Sequence, residues 1–224
     1  MKNARRKYII WLASISIAVS VLIIGCGGES AGDDDDDNND VILPPTDLYP
    51  AKIEEAWVEF ESVNYNNAIA SFREASEMDP LRSPAYLGLG WCYALLDGMD
   101  NSLSNFDIFI TKESESPDGY AAEAFVFLAQ NEYEKAITAA NEAISLGGDG
   151  YVFSHIPDVQ TRSLRLLIAE SYYAIGQYED AQAQIDILEP NNGLDKGSRT
   201  YEQDLLLEIE DLKSPGSILE GINN

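Results

Sequence analysis

Apolar residues follow two patterns along this chain. Residues 8–24 are uncharged throughout, whereas from about Leu48 onward apolar residues recur every three or four positions, the spacing of one face of an α-helix. Consecutive helical patterns are separated by short polar breaks, which are Asn64, Asp97-Gly98, Asn131-Glu132 and Gly176-Gln177. The pattern therefore predicts pairs of helices joined by short turns, and an all-α fold.

The helical patterns repeat with a period of 34 residues. Small residues occupy equivalent positions in the two helices of each pair, where antiparallel helices would cross closely. They are Ala56 and Ala68, Gly90 and Ser102, Ala124 and Ala136, and Ala169 and Ala181. The fourth pair follows the third after 45 residues instead of 34, so about 11 residues are inserted before it. The sequence thus predicts four helix-turn-helix units with one insertion.

The residues at these positions resemble the tetratricopeptide repeat (TPR), a 34-residue helix-turn-helix unit. The best-matching unit contains Tyr86, Leu89, Gly90, Tyr93, Ser102 and Phe106. The resemblance covers residues 48–190 and implies a right-handed α-solenoid of about four units. A last amphipathic pattern at residues 201–212 is predicted to be a C-terminal capping helix, because a solenoid needs a polar outer face at its end. The helical domain is therefore expected to span residues 48–213, with a flexible tail at 214–224.

The start of the chain indicates a secretory leader. Basic residues precede the uncharged stretch, which ends in Ile23-Ile24-Gly25-Cys26. This ending resembles the lipobox of bacterial lipoproteins, which implies that residues 1–25 are a signal peptide and that Cys26 carries acyl chains such as palmitate. An uncleaved membrane helix is the alternative, since the stretch is near the short limit for spanning a bilayer. Gly27 resembles the residue found in lipoproteins sent on to the outer membrane, so the expected location is the cell envelope, on its periplasmic or outer surface.

Residues 26–47 are predicted to be a disordered acidic tether behind the acylated cysteine. Five consecutive aspartates occupy residues 33–37, and residues 27–40 contain no aromatic side chain. Such a segment cannot bury enough apolar area to offset the entropy of ordering, and its charges extend it. An export signal of surface lipoproteins and a weak cation site are the alternatives for the aspartate run.

The charge of the chain excludes several classes of function. There are 39 Asp and Glu residues against 14 Lys and Arg, a net charge of −25, so nucleic acid is not an expected partner. His155 is the only histidine, and no phosphate loop, nucleophile motif or carboxylate pair stands out. The sequence therefore predicts no enzyme, no metal site and no cofactor. Cys92 lies in the most apolar helical pattern and is predicted to be an inert buried thiol.

The first helix of each unit carries a second apolar face. Trp57, Trp91 and Phe125 are spaced by 34 residues and form an aromatic ladder, with Glu170 fourth in register. In TPR proteins this face lines a concave groove that binds extended peptides or partner helices, so the resemblance makes it the candidate binding site. The candidate groove residues are Ile53, Trp57, Phe60, Leu87, Trp91, Phe125 and Leu128.

Two arrangements of this groove are compatible with the sequence. The groove is open to a ligand, or the chain fills it itself, because large exposed apolar patches are uncommon on soluble domains. Residues 147–157 contain Tyr151, Val152, Phe153 and Ile156 and supply one candidate filler, and residues 41–45 supply another.

The sequence thus predicts a membrane-anchored TPR scaffold that binds a protein or peptide partner in the bacterial cell envelope, as part of an envelope assembly. A glycan-binding or small-ligand-binding lipoprotein is the alternative, with the aromatic rings stacked on sugars. It ranks second because Ile53, Leu87 and Leu128 beside the rings are apolar, whereas a sugar site needs several converging hydrogen-bond partners.

Overall fold

The computed structural model describes residues 47–213. The predicted signal peptide, Cys26, all of the tether except residue 47, and the tail lie outside the described residues. The helices within them are α1 (Tyr49–Glu61), α2 (Tyr65–Met78), α3 (Pro84–Leu95), α4 (Met99–Lys112), α5 (Pro117–Ala129), α6 (Tyr133–Gly147), α7 (Thr161–Ala174), α8 (Tyr178–Leu188) and α9 (Tyr201–Leu212). None of these helices is long and apolar enough to cross a membrane.

The first eight helices form four consecutive pairs, as the repeat predicts. Each second helix also contacts the first helix of the next unit, and the first helices α1, α3, α5 and α7 contact one another in order. The first helices therefore share one surface of the solenoid, which we call the inner face. The predicted all-α solenoid of helix-turn-helix units is confirmed.

Equivalent residues begin and end the helices of successive units. A proline stands in the first turn of α1, α3 and α5, where its missing N–H costs no helical hydrogen bond. The turns after α1, α3 and α5 each contain one residue with positive φ, namely Val63, Asp97 and Asn131. The residue after it donates its N–H to a carbonyl in the last turn of the helix, at 2.8 to 2.9 Å. This left-handed helix end turns the chain back into the second helix of the unit.

The small residues lie where the two helices of each unit cross. Ser102 Oγ donates a hydrogen bond of 2.8 Å to the carbonyl oxygen of Gly90, so the backbones of α3 and α4 are in close contact. A Cβ atom at Gly90 would lie 2.2 Å from the ring of Phe106. All eight small residues are buried, and at the crossing of α3 and α4 the helices approach each other too closely for a larger residue.

Helix α9 packs against the fourth unit. Its buried residues Leu205 and Ile209 lie against Ala169, Ala181 and Ile185 of α7 and α8. At its end, Lys213 Nζ pairs with Glu170 Oε1 on α7 at 3.0 Å. The helix thus covers the apolar side of the last unit, as expected for a capping helix.

Candidate functional site

The predicted groove residues lie on the inner face and are almost completely buried. Trp91 is fully buried, and the exposure of the others does not exceed 8%, except for Ile53, which is half-buried. Helices α3 and α5 are buried on nearly all sides, whereas α2, α4 and α6 each have one buried face. Since inner-face residues of a single-layered solenoid would otherwise be open, another part of the chain must cover them.

The cover is the segment between α6 and α7, residues 148–160, which we call the insert. Its side chains Tyr151, Phe153, Ile156 and Val159 are all buried, and they pack into the same core as the aromatic ladder. The ring of Phe153 lies 5.9 Å from that of Trp57, edge to face, and 6.0 Å from that of Trp91, nearly parallel. The insert therefore runs from the third unit back to the first across the inner face.

His155 reaches the first unit. Its ring is stacked on Trp57 with the centroids 3.9 Å apart and an angle of 2° between the planes. Its Nδ1 lies 3.1 Å from Glu61 Oε1, at the end of α1. The only histidine of the chain is thus a packed residue that holds the far end of the insert. Residues 47–213 contain no cluster of side chains that could hold a metal ion.

Tyr151 anchors the near end of the insert through a buried polar contact. Its hydroxyl donates a hydrogen bond of 2.9 Å to Asp118 Oδ1 in the first turn of α5. Burial raises the pKa of Asp118, and the bonds from Tyr151 and Ser116 partly offset that rise. Burial and the nearby Asp118 likewise raise the pKa of Tyr151. The phenol therefore stays protonated and remains a donor to the carboxylate.

The backbone of the insert is hydrogen-bonded mainly to itself. Phe153 N–H donates to the carbonyl of Val159 at 2.8 Å, and Val152 pairs with Gln160 in an antiparallel bridge. At the base, Thr161 Oγ1 donates to the carbonyl of Gly148 at 2.6 Å, and Gly148 has the positive φ that favours glycine. The insert is thus a closed loop whose two ends meet and whose side chains alone hold it on the inner face.

The sequence left two arrangements open, an open groove and a groove filled by the chain itself. The structure shows the second. The filler is the predicted insert, and residues 41–45 lie outside the described part of the chain. Sequence reasoning named Tyr151, Phe153 and Ile156 but missed Val159, Glu61 and Asp118. Glu61 and Asp118 lie on α1 and α5, and no pattern in the sequence relates them to the insert.

Several solved structures have the same arrangement of helices. YrrB, described as a TPR protein with an unusual peptide-binding site, is 16% identical, with a TM-score of 0.55 over 75% of this chain and 88% of YrrB. PilW, a widely conserved type IV pilus biogenesis factor, is 16% identical, with a TM-score of 0.57 over 75% of each chain. MamA is 16% identical, with a TM-score of 0.53 over 73% of this chain and 74% of MamA.

The chain has the TPR fold. The comparison with protein-family models finds no match, and neither does the comparison with curated proteins. At 16% identity the likeness concerns the fold, so what the TPR solenoid binds has to be argued from its own residues.

A second concave feature of this TPR solenoid lies between α5 and α6. It is a cleft of about 500 Å³ lined by Tyr120, Glu123, Phe127, Glu134, Lys135, Thr138, Ala139 and Glu142. Lys135 Nζ already lies 5.4 Å from the centre of the Phe127 ring. Burial, together with the nearby Asp107 of α4, raises the pKa of Glu123 to about 8. The Glu123 carboxyl therefore keeps its proton at neutral pH.

This carboxyl pair predicts a pH dependence of stability. Glu123 binds its proton more tightly in the folded chain than in the unfolded one, where its pKa is near 4.5, so its contribution is fully present below that pH and is lost as the pH rises through about 8. Between pH 5 and pH 8.5 we expect Glu123→Gln to lose less stability than the wild type. The difference should be about 1 kcal/mol after allowing for solvent screening, or about 2 to 4 °C in Tm.

The measurement is thermal unfolding at both pH values, monitored by circular dichroism. Glu77→Gln serves as the control, because Glu77 is an exposed carboxylate on α2 outside the cleft. If the stabilities of Glu123→Gln and Glu77→Gln change with pH in the same way, the pKa of Glu123 is not raised in the folded chain.

Cys92 behaves as the sequence predicts for an inert thiol. Its side chain is fully buried in α3, and burial raises its pKa to about 12. A thiol that stays protonated is a poor nucleophile, so this cysteine has no reactive role at neutral pH.

Proposed function

We propose that the protein is a lipid-anchored TPR scaffold that binds a protein or peptide partner in the bacterial cell envelope, as part of an envelope assembly. The leader and Cys26 would place the anchor in a membrane, on the pattern of lipoproteins sent to the outer membrane. Residues 26–47 would hold the solenoid away from the lipid surface, on its periplasmic or outer side.

One observation carries the binding part of this proposal. The inner face holds a non-helical segment, the insert, through rings and apolar side chains while the helices keep their own backbone hydrogen bonds. That is how a TPR groove would hold an extended peptide. The descriptions of two neighbours agree with it, since YrrB has a peptide-binding site and PilW is a pilus biogenesis factor.

The charge of the chain favours a basic partner. With a net charge of −25, the scaffold attracts positively charged surfaces over distance, which raises the rate of association more than the final affinity. The glycan alternative gains no support, because Ile53, Leu87 and Leu128 beside the rings belong to the apolar core, whereas a sugar site needs several converging hydrogen-bond partners.

Photo-crosslinking in cells tests this function. A photoreactive amino acid at Glu54 would sample the inner face, because Glu54 is exposed and lies two turns before Glu61 on the same side of α1. We expect it to capture one defined protein, and the same amino acid at Glu77 on α2 to capture none. In a Cys26→Ser background the chain should move to the soluble fraction and lose that crosslink.

Two results would count against the proposal. If positions 54 and 77 capture the same proteins, the inner face is not the binding surface. If Cys26→Ser stays in the membrane fraction and keeps its crosslink, the leader is a membrane helix and the lipid anchor is wrong.

A further inference from the structure

We infer that the insert is an internal ligand of the inner face, and that the partner is a short extended segment with aromatic side chains at alternate positions followed by a planar side chain. This inference rests on the proposed function, because it assigns the partner of the same inner face. It follows from which side chains of the insert contact the ladder and which do not.

Alternate side chains of the insert face the groove. Tyr151 and Phe153 are buried, whereas Val152 between them is 52% exposed and pairs through its backbone with Gln160. Side chains alternate in this way along an extended strand. A segment with two aromatic residues separated by one residue of any type would therefore fit the sites of Tyr151 and Phe153.

The groove offers a different partner to each ring. The site of Phe153 is formed by Trp57 and Trp91, and it is apolar. The site of Tyr151 ends in the carboxylate of Asp118, so it accepts an aromatic residue that carries a hydrogen-bond donor. The third site is the face of Trp57 beside Glu61, which suits a planar side chain with a donor, such as histidine or arginine.

One polar atom of the aromatic ladder has no hydrogen bond. Trp91 is fully buried, and within residues 47–213 no acceptor pairs with its Nε1. A buried donor without an acceptor is unfavourable. A segment that brought a carbonyl or hydroxyl oxygen within reach of this Nε1 would gain a bond that the insert does not make.

The base of the insert allows it to leave without disturbing the helices. The bond from Thr161 to Gly148 holds the two ends together, and the backbone bond between Phe153 and Val159 lies within the loop and moves with it. The contacts that hold the insert on α1, α3 and α5 are made by side chains, including Phe153 on the two tryptophans and Tyr151 on Asp118. An incoming segment with the same side chains replaces them one for one, and the released loop regains its conformational entropy.

A peptide added in trans tests the inference. The probe is a fluorescently labelled synthetic peptide with the sequence of residues 150–159, and its partner is the full chain carrying Tyr151→Ser, Phe153→Ser, His155→Ser and Ile156→Ser. Fluorescence anisotropy should show at least tenfold tighter binding to this variant than to the wild type, whose groove is occupied. The same peptide with Phe153→Ala should bind the variant at least tenfold more weakly.

The inference is overturned if the folded variant binds both peptides equally, or binds the probe no more tightly than the wild type does. Circular dichroism establishes whether the variant is folded. If it is not, His155→Ala replaces it, because that ring is only half-buried and its loss should tighten probe binding at least threefold; no change would overturn the inference.

The two proposals fail separately. Peptide binding without capture of a protein at position 54 in cells would leave the internal ligand standing and contradict the proposed function. Capture of a protein at position 54 without peptide binding would support the proposed function and contradict the internal ligand.

Discussion

Gly90→Val is expected to lower the free energy of unfolding by about 3 kcal/mol or more. A Cβ at this position would lie 2.2 and 2.4 Å from two ring atoms of Phe106, well inside van der Waals contact. The ring cannot move aside easily, because it is fully buried and packs against Trp91 at 5.7 Å. For a chain of this size the loss corresponds to a fall in Tm of about 6 to 12 °C.

Thermal unfolding of matched glycine variants is the measurement. Gly150→Val is the control, because a Cβ there meets nothing within 4 Å and its φ is not positive. Its Tm should stay close to that of the wild type. Equal changes in Gly90→Val and Gly150→Val would mean that the crossing of α3 and α4 is looser than the structure has it.

Phe153→Ala is expected to cost about 3 kcal/mol, at the low end for removing a buried phenylalanine. The side chain is only 4% exposed and contacts both tryptophans of the ladder. The loss cannot exceed the free energy that docks the insert, because beyond that point the insert leaves the inner face instead of enclosing a cavity. Undocking would expose Trp57 and Trp91 to water.

Denaturant unfolding and tryptophan emission report on the two consequences. We expect a lower denaturation midpoint and a red-shifted emission spectrum in Phe153→Ala. Val152→Ala is the matched control, since its side chain is 52% exposed, and a surface change of this kind stays within about 0.5 kcal/mol. If both variants unfold like the wild type, the insert is not part of the core.

The repeat could be read from the sequence because its signals are local and recur. A small residue recurs at each crossing, at positions 56, 90 and 124, and a short turn recurs after each first helix. The lengths of the helices follow from the same signals, because the left-handed turn after α1, α3 and α5 stops each helix at an equivalent residue. The architecture therefore needed no information about distant contacts.

The state of the groove could not be predicted in the same way. The sequence shows that α3 is apolar nearly all round, and such a helix is buried whether a partner or the chain itself covers it. The choice depends on contacts between residues far apart along the chain, such as His155 with Glu61 and Tyr151 with Asp118. The interaction of Glu123 with Asp107, which adds to the rise in the pKa of Glu123, is likewise a contact between two helices.

The sequence by itself determined the all-α repeat, the crossing points and the insertion before the fourth unit, because each depends on residues close together or regularly spaced. The lipid-anchored leader stays a prediction. Only the tertiary structure decided that the insert covers the aromatic ladder. That outcome depends on whether the side chains of one loop fit the spaces between three helices, and such a fit is a property of their packing in three dimensions.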